Sequence, residues 1–205
     1  MELSPEQKDA IQEIINIAFH RAAYSLSELT QKRIELKAPE VYIFSIQELS
    51  KFLASLFGKD LVMVNQFFKG GISGNAALIM NVDSAMTLVD LVTGERSGLP
   101  RLDEGDREAL LEIGNILINA YIGTIGNILK ENIVFFVPNI RVESVGAMMK
   151  SIVLEGEHLQ HAIAVVTDFV VKNANVTGCV ALILGLTSLE KLLEVLSSYF
   201  GGVQK

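Results

Sequence analysis

The stretch EIGNI at Glu112–Ile116 places a carboxylate and an amide three residues apart, fenced by isoleucines. The chain does the same at EIINI, Glu13–Ile17, 99 positions earlier. Asn is a poor residue for a helix interior, costing roughly 0.7 kcal/mol against Ala. A polar pair that recurs in an apolar chain therefore marks a repeat. Pro39 and Pro138 keep the same offset, each with 22 residues between it and the preceding Asn16 or Asn115. Further on, SGNAALIM (Ser73–Met80) resembles TGCVALIL (Thr177–Leu184), and DSAMTLVDLVTG resembles TSLEKLLEVLSS, both at an offset of 104. A period near 100 residues is too long for a solenoid unit. It reads as a duplicated half-domain: one domain over 1–205, built from repeats of about 1–98 and 99–205 and linked by GERSGLPRLD.

The same order of elements is expected in each half. A long amphipathic helix comes first, over about 5–30 and about 103–131. SPEQ supplies an N-cap serine, a proline at the first helical position and a glutamine at the third, close to a capping box. LDEGD puts acid where the helix dipole favours it. A short strand ended by proline follows, RIELKAP or NIVFFVP. The next segment is poorly signalled, apart from a helix at SIQELSKFLASLFG in the first half. Two strands then pair as a hairpin, DLVMVNQFFK with ISGNAALIMN and HAIAVVTDFVVK with VTGCVALILG, and each half closes on a helix. The fold class is α+β (mixed α/β), with a mainly antiparallel sheet and one core shared by both halves.

Composition limits the function. Of 205 residues, half are hydrophobic and a fifth charged, which argues against disorder. Net charge is -7, and no basic run or aromatic-basic interleaving suggests nucleic acid. An acidic surface better suits a partner that offers lysines. The single cysteine, Cys179, lies in the apolar run GCVALIL and reads as a small buried hydrophobe in a reducing compartment. The N-terminus is polar and acidic, and no stretch reaches the ~18 uninterrupted apolar residues of a membrane span. A cytoplasmic monomer without a membrane span is the expectation.

Residues at i, i+4 and i+7 of a helix fall within about 40° of one another. Asp9, Glu13 and Asn16 have that spacing, and His20 continues it. Glu108, Glu112, Asn115 and Asn119 match it in the second half. Each long helix thus carries a straight polar stripe among apolar residues. A solvated helix face is the bland explanation. Against it stand the low helix propensity of Asn, the identical Glu-x-x-Asn plus Pro spacing in both halves, and the absence of any Lys or Arg in the stripes. One Glu and one Asn per stripe are too few for a metal, and no catalytic triad or phosphate loop is present. His158 and His161 in HLQH read as exposed turn histidines. An Asn amide can hold a water in a fixed orientation without being a strong base, which suffices for a substrate that is already activated. A Glu one turn earlier can grip a lysine on a docked protein.

These residues carry a family resemblance. The pattern Asp/Ser-x3-Glu-x2-Asn-x22-Pro resembles the signature of the CheC/CheX/FliY phosphatases of chemotaxis. Asp9, Glu13, Asn16 and Pro39 match it fully; Glu112, Asn115 and Pro138 match it with Glu108 in the first place. The resemblance covers essentially the whole chain and, with two sites, looks most like CheC. It implies a substrate, phosphorylated CheY, whose aspartyl phosphate is hydrolysed by water oriented by Asn16 and Asn115. Glu13 and Glu112 would dock the lysine of CheY. The chain would bind no cofactor of its own, Mg²⁺ being supplied by CheY. The deamidase CheD is a candidate second partner. One departure stands out: the first helix continues IAFHRAA, where the family usually has small residues, so Phe19, His20 and Arg21 narrow or redirect the first site and the second is expected to be the more active. Two other functions stay open at this point. One is a non-catalytic binding module for a receiver domain or a CheD-type deamidase. The other is a metal-dependent hydrolase using His20, His158 or His161.

Overall fold

The computed structural model describes residues 3–30, 35–36, 39–94, 101–155, 159–171 and 174–201. Most of the GERSGLPRLD link, parts of RIELKAP, and His158 lie outside the described residues. The first half runs α1 (Pro5–Thr30), β1 (Glu35–Leu36), β2 (Glu40–Ser45), α2 (Ile46–Phe57), β3 (Asp60–Gly70), β4 (Gly74–Asn81) and α3 (Val82–Thr93). The second runs α4 (Glu104–Leu129), β5 (Ile133–Phe135), β6 (Asn139–Ser144), α5 (Val145–Glu155), β7 (Leu159–Val171), β8 (Ala174–Gly185) and α6 (Leu186–Gly201).

Local chemistry sets the helix starts. Ser4 Oγ accepts from the Gln7 amide at 3.2 Å and Gln7 Oε1 accepts from the Ser4 amide at 2.9 Å, closing the capping box expected at SPEQ. Asp103 and Asp106 close the same box on α4, at 2.8 and 3.0 Å. Ser45 and Glu48 do so on α2. The strands β2 and β6 and the helix α5 go beyond the sequence-based expectation. They fall in the segments after the prolines, where no clean alternation signals them, because β2 and β6 are short edge strands of mixed burial.

All described pairings are antiparallel. The sheet order is β1-β7-β8-β4-β3-β5, with β2 also joining β7 and β6 also joining β3. The edge strands of each half therefore sit on the hairpin of the other half, and β4 pairs with β8 at the centre. Neither half can leave without tearing the other's ladder. The central strands are apolar on both faces, since helices cover both. On one face α1, α3, α4 and α6 bury Val62, Val64, Phe68, Leu78 and Val180. On the other, α2 and α5 bury Leu61, Met63, Ile79, Cys179 and Ile183. Cys179 is fully buried, and burial pushes its thiol up to about 12.

The helix α4 is long and apolar enough by composition to cross a membrane, although no uninterrupted apolar run in it is that long. In the fold its apolar residues pack on β3, β4 and α1, and its first half carries Glu104, Asp106, Arg107, Glu108 and Glu112. His161 is not an exposed turn residue. It lies in β7 opposite Ser45, half-buried, with a buried Nδ1 that has no hydrogen-bond partner among the described residues. The β7 ladder reaches back further than the alternation of HLQH suggests because a register shift between Leu159 and His161 admits an irregular start.

Candidate functional site

The two long helices pack against each other on the same face of the sheet. On α1, Asp9, Glu13 and His20 are exposed and Asn16 is half-buried. On α4, Glu108 and Glu112 are exposed, and Asn115 and Asn119 are half-buried. Each stripe thus descends from open carboxylates to an amide set against the body of the protein. Pro39 is buried and Pro138 half-buried, at the breaks between β1 and β2 and between β5 and β6. Proline has no N–H for a ladder, so it interrupts the edge strand there.

Hydrogen bonds define how each amide is held. In the second half, Gln66 of β3 donates from Nε2 to the carbonyl of Phe136 at 2.8 Å and to Asn115 Oδ1 at 3.4 Å. Asn119 Nδ2 adds a bond to the same Oδ1 at 3.0 Å. A carbonyl can only accept, so the Phe136 contact fixes which end of Gln66 is the NH₂ group. That in turn fixes Asn115: its Oδ1 points inward with both lone pairs engaged, and its NH₂ remains. In the first half, Gln12 Nε2 reaches the Pro39 carbonyl at 3.5 Å and Asn16 Oδ1 at 3.3 Å. The same logic leaves the NH₂ of Asn16. A loop carbonyl at or near the proline therefore orients the helix amide through one glutamine in both halves. This gives the long Asn-to-Pro spacing a physical meaning.

The glutamines differ in origin. Gln66 comes from the sheet and is 3% exposed. Gln12 comes from α1 itself. By register the position in β7 that matches Gln66 is Val165, so the sheet offers the first half no glutamine, and EIGNI also differs from EIINI beneath the helix. A Cβ on Gly114 would stand 2.6 Å from Val64 Cγ1, so only glycine lets α4 approach β3 this closely. The matching residue of α1 is Ile15, buried at 2% exposure, and α1 packs chiefly on α4 and α6. Neither glutamine is among the site residues expected from sequence. Gln66 has a signal, as one of two adjacent polar residues in the apolar strand LVMVNQFF. Gln12 has none, since a glutamine on an amphipathic helix is ordinary.

The surroundings of the second stripe are apolar as well as acidic. Val134, Phe136 and Val137 are 63%, 55% and 88% exposed beside the carbonyl that holds Gln66. Arg21, one of the three bulky residues that follow the Asn of α1, reaches across to Thr124 Oγ1 of α4 at 3.4 Å. The other polar sequence candidates do not converge. His20 is on α1, with its ring edge to Phe19, and His161 is in β7. Among the described residues, no three His, Cys, Asp or Glu side chains come together as a metal site.

No protein-family model matches the chain. It is 26% identical over 172 residues to the CheY-P phosphatase CheC of Bacillus subtilis, covering 81% of each protein. It is 25% identical over 143 residues to the flagellar motor switch phosphatase FliY of the same organism, covering 69% of this chain and 37% of that protein. The fold superposes on the crystal structure of Thermotoga maritima FliY with a TM-score of 0.74 at 19% identity, covering 97% of this chain and 100% of the other. The chain is a homologue of the CheC and FliY CheY-P phosphatases and shares their fold.

Proposed function

We propose that this chain hydrolyses the aspartyl phosphate of a CheY-type receiver domain, with Asn115 and Asn16 as the water-orienting amides. The observation that carries this reading is the held amide: Oδ1 engaged from inside, NH₂ left at a half-buried position one turn from an exposed Glu. An N–H of Asn115 can hold one lone pair of a water while the other faces phosphorus. The water oxygen then forms the new P–O bond, the acyl P–O bond breaks, and the aspartate leaves as a carboxylate. An acyl phosphate is activated already, so alignment of water contributes most of the acceleration. Glu112 and Glu13 dock a lysine of the receiver, and the Mg²⁺ that steadies the phosphate is the receiver's own.

Two further features support this reading. The apolar rim of Val134, Phe136 and Val137 suits a protein surface better than a small polar metabolite. Gln66 also leaves its own Oε1 buried and without a partner among the described residues. That costs on the order of 1–3 kcal/mol, so stability alone does not account for a glutamine there.

The test is the decay of phosphate on a receiver domain from the same organism, alone, with the chain, and with the Asn16→Ala, Asn115→Ala double variant. Acceleration by the wild type and none by the folded double variant is expected. Acceleration equal in both would refute the assignment. Receiver binding without acceleration would make the chain a docking module.

A further inference from the structure

Between α1 and α4 lies a groove of about 640 Å³ that the phosphatase reading does not use. It joins the two stripes at their far ends, because His20 and Asn119 both line it. Its size is that of a small-molecule site. Arg21 projects into it and makes one polar contact among the described residues, the 3.4 Å bond to Thr124. Among the described residues, no lining side chain is a carboxylate, although the chain carries a net charge of -7 and both stripes are acidic. The nearest acid on α1, Glu28, is occupied by the Tyr24 hydroxyl at 2.8 Å. The walls are otherwise mixed: Tyr24, 65% exposed, and Ile116 offer apolar surface, and Asn127 and Ser25 offer hydrogen bonds.

We propose that this groove binds a small organic anion, with Arg21 on a phosphate or carboxylate head and the Tyr24 and Ile116 surfaces against a flat or apolar body. A guanidinium without an acidic partner matches either head by its paired donors. Carboxylate-free walls in an acidic protein remove the repulsion that would otherwise exclude an anion. Gly123 keeps the space open: a Cβ there would meet nothing within 4 Å. A helix normally prefers Ala to Gly by about 1 kcal/mol, so the missing side chain gives room at a cost in helix stability. Asn119 belongs both to this groove and to the hydrogen bonds that hold Asn115, so an occupant would touch the support of the second stripe.

The experiment uses the full chain with no receiver present, so its result is independent of the phosphatase reading. Amide NMR signals are followed while inorganic phosphate, adenosine 5′-monophosphate or benzoate is added at constant ionic strength. Saturable shifts at Asn119, Gly123 and Thr124 are expected, stronger with the two organic anions than with inorganic phosphate. Arg21→Gln should weaken binding by about tenfold or more, since it removes the charge-assisted bonds. Gly123→Leu should abolish binding by filling the groove while improving helix propensity. A response to benzoate but not to the nucleotide identifies a carboxylate head, and the reverse a phosphate. No saturable shift with any of the three, or binding undiminished in Arg21→Gln, overturns the site. Binding undiminished in Gly123→Leu places the ligand outside the groove and overturns it equally.

Discussion

The two stripes share Glu-x-x-Asn at the same spacing, yet their amides are held differently. Asn115 is fixed by two donors, one of them a glutamine from the middle of the sheet that is itself buried. Asn16 is fixed by one, a glutamine from its own helix that has no such enclosure. Two positions differ beneath the helices: Gly114 stands against Ile15, and Gln66 of β3 stands against Val165, its counterpart by register in β7. Glycine brings α4 down onto Val64 and within reach of Gln66, whereas the isoleucine fills that space on α1 with side chain. Two copies of one motif can thus differ in how firmly the amide is held, which is set by what lies beneath the helix.

Four experiments probe this contrast. The largest effect is expected from Asn115→Ala in an Asn16→Ala background. Receiver dephosphorylation should fall by ~10²-fold or more, the loss typical of a misplaced reactant. Retained activity in that double variant would dissolve the contrast altogether. Next comes Gly114→Ala. The new methyl meets the stiff, branched Val64, and urea denaturation should show a net loss of about 1–2 kcal/mol even after a helix-propensity gain of about 1 kcal/mol. An unchanged midpoint would mean that α4 does not need its close approach. Third is Gln66→Leu, tested with Asn16 already replaced by Ala so that only the second stripe reports. Turnover should drop about tenfold, or roughly 1.4 kcal/mol, at unchanged KM, because the receiver still docks while the amide loses its anchor. A rise in KM instead would make Gln66 part of the docking surface. The smallest effect is expected from Gln12→Ala in an Asn115→Ala background, less than about threefold in turnover, since it removes two long hydrogen bonds from a half-buried side chain. A loss as large as that of Gln66→Leu would show that the two stripes are equally dependent on their glutamines.

Much of this architecture is legible in the amino-acid sequence. The long helices, the capping box at SPEQ, both hairpins and the closing helices follow from caps, periodicity and turn spacing, which are local. The stripe residues are legible too, because Glu and Asn at helical spacing in an apolar chain stand out against their surroundings. The edge strands β2 and β6 and the helix α5 are not. The strands have mixed burial, and it is pairing with β7 and β3 that makes strands of Glu40–Ser45 and Asn139–Ser144. His161 opens the expected strand HAIAVVTDFVVK, and what the sequence does not signal is that the ladder starts two residues earlier, at Leu159, across a register shift.

Which residues stand out as candidates for chemistry, and that they come twice, can be read from the chain alone, because residue type and spacing are properties of the chain. How they are held cannot. The crossing of edge strands from one half to the hairpin of the other, the arrival of Gln66 at Asn115 from 49 residues away, and the groove between α1 and α4 depend on contacts between segments distant in the chain. Local propensity and periodicity carry no information about such contacts, because they are set by how closely one buried surface can approach another.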